Sequence, residues 1–172
     1  HSFIFLLAIL LVSNTVWAQK LSIGQWFAHL PQKTARQVVD AGEEIYVLTD
    51  VYYFSFNKTT GEITKYDKVW GLSDVQVDHL AYSEDDKALI VAYRNTNIDL
   101  IKNGNTIINV SDILRKSISG IKEINAVVIK DSMAYFATTF GIVVFDIEKE
   151  EFRDTYTIGN HGGPVSVADV AF

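Results

Sequence analysis

The stretch KALIVAYRNTNIDLIKNGNTIINVSD, residues 87–112, decides the fold. It opens on Ala88-Leu89-Ile90-Val91-Ala92-Tyr93, six residues with no polar position between them. A half-buried strand alternates apolar and polar residues, so an unbroken apolar run of this length reads as a strand covered on both faces. A polar break, Arg94 to Asn97, leads to a second apolar run at Ile98–Ile101. Asn103-Gly104 then marks a two-residue hairpin, because both residues tolerate positive φ. A third run, Thr106–Val110, follows. No apolar positions recur at helical spacing.

Working outward, the same design stands on either side. Upstream it is EIYVLTDVYYFSFNK, residues 44–58, followed by Thr59-Thr60-Gly61 and then EITKYD, residues 62–67. Downstream it is SMAYFATTFGIVVFDIE, residues 132–148, followed by Lys149-Glu150 and EFRDTYTI, residues 151–158. Thr49, Tyr93 and Thr138 close the equivalent first runs and lie 44 and 45 residues apart. A period of about 40–50 residues made only of strands is the period of a propeller blade. The sequence therefore predicts an all-β chain, a β-propeller of four-stranded antiparallel blades. The blades fall roughly at residues 34–68, 74–112 and 122–158, with the start of the next at 164–172. One helical turn is expected near Ser111–Lys116, in an inter-blade connection.

About three and a half blades fit in this length, whereas closed propellers usually have about four to eight. Pro164 to Phe172 reads as the first strand of a further blade. The expectation is a partial propeller, residues 19–172, whose chain continues beyond Phe172.

Residues 1–18 differ from the rest. Phe3 to Val12 is an apolar run of ten residues. As a helix it would extend about 15 Å, against a bilayer core of about 30 Å. It matches the apolar region of a signal peptide, and Val16-Trp17-Ala18 supplies small residues for cleavage before Gln19. The absence of a basic lead and of an initiator Met predicts a signal peptide truncated at its N-terminus. The protein is expected to be exported, to the periplasm or cell surface.

The composition is that of a folded chain, 48% hydrophobic and 21% charged,. The net charge of −6 and the lack of any Lys/Arg-rich run exclude a nucleic-acid footprint,. There are no cysteines, hence no disulfide, thiolate nucleophile or thiolate metal site,.

Catalytic, cofactor and metal residues are not expected. His29, His79 and His161 have no metal-ligand spacing. Gly162-Gly163-Pro164 lacks the Lys-Ser/Thr of a phosphate loop. The pairs Glu43-Glu44 and Asp85-Asp86 read as solvated carboxylates at hairpin tips. No serine stands in a nucleophile-elbow context. The protein is read as a non-enzyme. Two residues stand out as candidate contacts with a glycan or partner. Trp70, beside Gly71 in an inter-blade connection, either packs between blades or stacks on a sugar face. His161 lies in the loop Asn160-His161-Gly162-Gly163 and is either solvated or turned toward a ligand.

An ordered set of motifs resembles a known family. Gly24-Gln25-Trp26-Phe27-Ala28-His29-Leu30-Pro31 is similar to the W-x-x-H-L-P opening of PorZ-type propellers. Gly71-Leu72-Ser73-Asp74, Asn97-Ile98-Asp99-Leu100-Ile101, Phe140-Gly141-Ile142-Val143-Val144-Phe145-Asp146 and Asp154-Thr155-Tyr156-Thr157-Ile158-Gly159 follow in the same order. The resemblance implies a non-catalytic component of the Bacteroidota type IX secretion system, associated with the outer membrane. It implies partners in the attachment complex, namely a sortase-type protease and outer-membrane barrel proteins, and binding of anionic lipopolysaccharide. The chain also resembles the periplasmic sensor propellers of hybrid two-component regulators, which bind a ligand and pass its state to a kinase. Those repeats continue into D-x-x-G-x-L-W-I-G-T, whereas Glu84–Tyr93 lacks the Trp and the Gly-Thr pair.

Overall fold

A computed structural model describes residues 34–50 and 52–172. The signal-peptide expectation and the Trp26–Pro31 opening lie outside the described residues. The described chain forms three four-stranded antiparallel sheets. The first holds β1 (Ala35–Ala41), β2 (Glu44–Thr49), β3 (Tyr53–Asn57) and β4 (Ile63–Tyr66). The second holds β5 (Val77–Ser83), β6 (Ala88–Tyr93), β7 (Ile98–Lys102) and β8 (Thr106–Val110). The third holds β9 (Ile124–Lys130), β10 (Met133–Thr138), β11 (Gly141–Asp146) and β12 (Glu151–Tyr156). Each sheet runs in chain order from its first strand to its last. This is the all-β, partial-propeller architecture that the repeat predicts. Among the described residues no helix is long and apolar enough to cross a membrane.

Turn chemistry sets the hairpins. Asn103 (φ 51°) and Gly104 (φ 76°) both take the left-handed conformation, which matches the twist of the strands they join,. After β3, the Asn57 carboxamide oxygen accepts the backbone N–H groups of Thr59 and Thr60 at 3.0 and 2.8 Å. The residues Thr49, Tyr93 and Thr138 that mark the period are the last residues of β2, β6 and β10. The helical turn falls at Asp112–Arg115, between β8 and β9.

The second sheet is buried on both sides. Leu89, Val91 and Tyr93 of β6 pack toward the first sheet with Leu48, Tyr53, Leu72 and Leu80. Ala88, Ile90 and Ala92 pack toward the third with Ala134, Phe136, Val143, Phe145 and Ile147. All six β6 residues are buried, which is why their sequence does not alternate,. Burial of each large side chain in these layers contributes about 1.5–3 kcal/mol. β12, the last strand of its sheet, is mostly exposed.

The first strands of successive sheets are joined by side chains that reach neighbouring backbone. Gln37 of β1 donates through Nε2 to the Leu80 carbonyl of β5 at 2.7 Å, and its Oε1 accepts the Leu80 N–H at 2.9 Å. His79 of β5 lies 2.8 Å through Nε2 from the Ile124 carbonyl of β9. A carbonyl only accepts, so Nε2 carries the hydrogen. Asn125 of β9 donates through Nδ2 to the Val167 carbonyl at 2.7 Å. Bulges open these strands at Ala35/Gln37, at Val77/His79 and opposite Ala137/Thr138. A bulge re-aims a side chain out of the ladder.

Candidate functional site

The connection from β4 to β5 carries Trp70. The Asp67 carboxylate folds it by accepting the N–H groups of Val69 and Trp70 at 2.8 and 3.0 Å, a side-chain mimic of a backbone turn,. This sets the indole edge-on to Tyr66, ring centroids 4.5 Å apart. Trp70 is half-buried and packs on the layer between the first and second sheets.

Three residues further on, the connection is pinned to the second sheet. Ser73 donates its backbone N–H to Asp99 Oδ2 at 2.8 Å. The Tyr93 hydroxyl donates to the same oxygen at 2.5 Å, and Asn109 Nδ2 donates to Oδ1 at 2.9 Å. Asp99 is wholly buried. Burial and the bond to Asp99 hold the Tyr93 phenol protonated far above the usual range. A buried carboxylate with all these donors is a structural strut. Asn95 reaches the Asp74 carboxylate beside it. Two separated motifs of the sequence, Gly71–Asp74 and Asn97–Ile101, thus meet here.

His161 lies in a single turn of 3-10 helix, Asn160–Gly162, closed by the Gly159 N–H to the Gly163 carbonyl at 3.0 Å. It is exposed and left-handed, φ 58°. It follows β12 as Trp70 follows β4, so both residues occupy the end of the sheets where connections leave for the next unit. They sit in different connections. At that same end a cavity of about 290 Å³ is lined by Asp78, His79, Arg94, Glu123, Ile124 and Asn125. Asp78 is held by Arg36 at 2.9 Å. Arg94 and Glu123 are exposed at its rim.

The sequence pointed to Trp70 and His161 but not to Arg94, Glu123 or the Asp99 strut. Asp99 was legible in principle, as a lone carboxylate inside the apolar run Ile98–Ile101. Glu44 was misread. Rather than standing solvated at a hairpin tip, it is the first residue of β2 and its Oε2 is shielded from solvent. Among the described residues no three His, Asp or Glu side chains gather as a metal would require.

The fold and its loop-built surface define part of a β-propeller, a scaffold that presents loops at the ends of radially repeated sheets. The model of the PorZ N-terminal β-propeller domain of the type IX secretion system matches residues 45–171, and the chain belongs to that family. A solved structure of PorZ, described as an essential surface component of the type IX secretion system of Porphyromonas gingivalis, is 27% identical with a TM-score of 0.68. The match covers 74% of this chain and 17% of that one. The chain thus spans less than a fifth of that PorZ. The extracellular domain of the hybrid two-component system BT4673 from B. thetaiotaomicron is 20% identical, with a TM-score of 0.58, over 72% of this chain and 16% of that one. The computationally designed Ika4 protein is 15% identical, with a TM-score of 0.56, over 84% of each chain. The last two likenesses concern the fold alone. No curated protein sequence matches.

Proposed function

We propose that the protein is a non-catalytic binding and assembly component of type IX secretion, working at the periplasmic or outer surface of the outer membrane. Membership of the PorZ propeller family carries this reading. Its partners are the proteins of the attachment complex, a sortase-type protease and outer-membrane barrel proteins, with anionic lipopolysaccharide as a further ligand. The contacts fall on the end of the sheets that carries Trp70 and His161. That end offers an exposed imidazole, the Arg94 guanidinium and a half-buried indole, while the sheet interiors are filled with packed side chains. Residues 1–18 direct export and are removed. Residues 164–172 begin a further blade, a reading supported by the Asn125–Val167 bond, which repeats the link between earlier units.

The test is deletion of the gene, followed by the state of secreted cargo. Cargo that keeps its C-terminal signal and fails to attach supports the role, and complementation restores both. Normal trimming and attachment without the protein overturn it. Cofractionation of the full-length protein with the attachment complex checks the partners separately.

A further inference from the structure

At the opposite end of the sheets, where the β1–β2, β5–β6 and β7–β8 turns gather, a cavity of about 260 Å³ opens between the first and second sheets. Glu44, Tyr46, Tyr82, Lys87, Leu89 and Asn103 are among its lining residues. The Glu44 carboxylate is half-served. Its Oε1 accepts Asn57 Nδ2 at 2.8 Å, while Oε2 is shielded from water and has no donor. An unpaired carboxylate oxygen out of water is costly, and such groups in folded proteins take a partner. The last torsion of a glutamate is broad, so a modest swing of the carboxylate presents Oε2 to the cavity.

The walls define the partner's chemistry. Tyr46 and Tyr82 stand with ring centroids 6.4 Å apart and planes inclined by 38°. Burial pushes the Tyr46 phenol up to about 12, helped by Tyr66, Glu44 and Tyr82, and burial raises Tyr82 as well. Both rings therefore present neutral π faces at physiological pH. Lys87 is engaged by Glu84, which leaves Glu44 as the uncompensated charge. Neutral π faces beside a carboxylate attract a cation. An anion is repelled, and a neutral hydroxyl leaves the charge unbalanced. A quaternary ammonium has no N–H to give to Oε2.

We propose that this cavity binds a primary alkylammonium ion, whose N–H groups donate to Glu44 Oε2 and whose stem lies against Tyr46, Tyr82 and Leu89. A lysine side chain and an amino sugar both carry that group. The experiment is a ligand-observed NMR titration of the full-length protein with n-butylammonium chloride at neutral pH. Saturable binding is expected. Glu44→Gln, which keeps the shape and removes the charge, weakens it at least about tenfold, the scale of one charge-assisted hydrogen bond. Tyr82→Leu also weakens it, and it serves as the reading should Glu44→Gln fail to fold. Tetramethylammonium does not compete. Nα-acetyl-lysine amide and glucosamine, titrated in parallel, show which source fits. No saturable butylammonium binding, equal binding by Glu44→Gln, or equal competition by tetramethylammonium overturns the proposal.

Discussion

Asn125 of β9 holds the carbonyl of Val167, 42 residues further along the chain, at 2.7 Å. It is the third link of a series. Gln37 reaches Leu80 and His79 reaches Ile124 in the same way, each from the bulged first strand of one unit to the chain of the next. The series does what a shared ladder does in a single sheet, since the three sheets exchange no main-chain ladder bonds of their own. Replacing His79 by Leu leaves the Ile124 carbonyl without this donor and is expected to cost about 1–2 kcal/mol. Chemical denaturation measures it. Unchanged stability would mean that the bonds only decorate the apolar layers.

Gly141 has a narrower tolerance than the other glycines among the described residues. Its φ is 140°, and a Cβ there would stand 2.2 Å from the Tyr156 carbonyl oxygen of β12. Backbone cannot yield as a flexible side chain does. Gly141→Ala is expected to separate β11 from β12 and to cost more than about 3 kcal/mol, or to abolish folding. Gly104→Ala is the control. It has a positive φ but nothing within 4 Å, so its cost stays near about 1 kcal/mol. Similar losses at the two sites, read from melting curves, would defeat the steric account.

How far the sequence reached depended on where each strand lies. β6 announced itself because both of its faces are covered. The Asn103-Gly104 hairpin did so because its turn needs positive φ. β1 gave almost no signal. ARQVVDA is largely exposed, and its Gln37 serves a neighbour rather than an apolar layer. The bonds between units were invisible for a different reason. Gln37, His79 and Asn125 meet partners more than 40 residues away, and nothing local distinguishes them from solvated residues. Glu44 misled because adjacent carboxylates near a Gly usually face water. Here the Asn57 carboxamide holds Oε1 of its carboxylate, and Oε2 is shielded from solvent.

Trp70 separates packing from recognition. Its edge-on contact with Tyr66 and its place on the inter-sheet layer predict that Trp70→Ala costs about 2–3 kcal/mol, somewhat less than loss of a fully buried indole,. His161→Ala, at an exposed turn, is expected to change stability by less than about 0.5 kcal/mol. Binding to attachment-complex partners is then measured for both variants. Loss of binding by His161→Ala with an unchanged melting temperature marks the loop as a contact. An unaffected melting temperature in Trp70→Ala would remove the packing role.

The Asp99 strut predicts an uneven pair of variants. Asp99→Ala strips an acceptor from Ser73 N–H, the Tyr93 hydroxyl and Asn109 together, and is expected to cost about 3 kcal/mol or more,. Tyr93→Phe removes one donor of that set and is expected to cost about 1 kcal/mol. The double variant should lose little beyond Asp99→Ala, because the two side chains share one bond. Additive losses from denaturation curves would show that they act independently.

The tyrosines between the first and second sheets predict how alkali unfolds the protein. Burial raises the phenols of Tyr53, Tyr93 and Tyr46, the last to about 12, against an ordinary value of 10.0. The unfolded chain therefore loses these protons first as pH rises. Below pH about 10 both states keep them, and the folded state is unaffected by their titration. Above it, each phenol that stays protonated only in the folded state lowers stability by up to about 1.4 kcal/mol per pH unit, until its own folded value is reached. Tyr46 stops contributing near pH 12, while Tyr53 and Tyr93 continue beyond. The part of the tyrosinate absorbance that comes from these three rings should consequently rise together with loss of the β-sheet signal, in one cooperative step distinct from the ionisation of exposed Tyr156. Tyr93→Phe, although it lacks the bond to Asp99, should show a shallower decline of stability with pH than the parent. Ionisation of Tyr46, Tyr53 and Tyr93 themselves in a chain that remains folded, seen as no loss of the tyrosinate step at unfolding in their Phe variants, would mean that these rings are reached by solvent, and the close packing of the first sheet on the second would have to be abandoned.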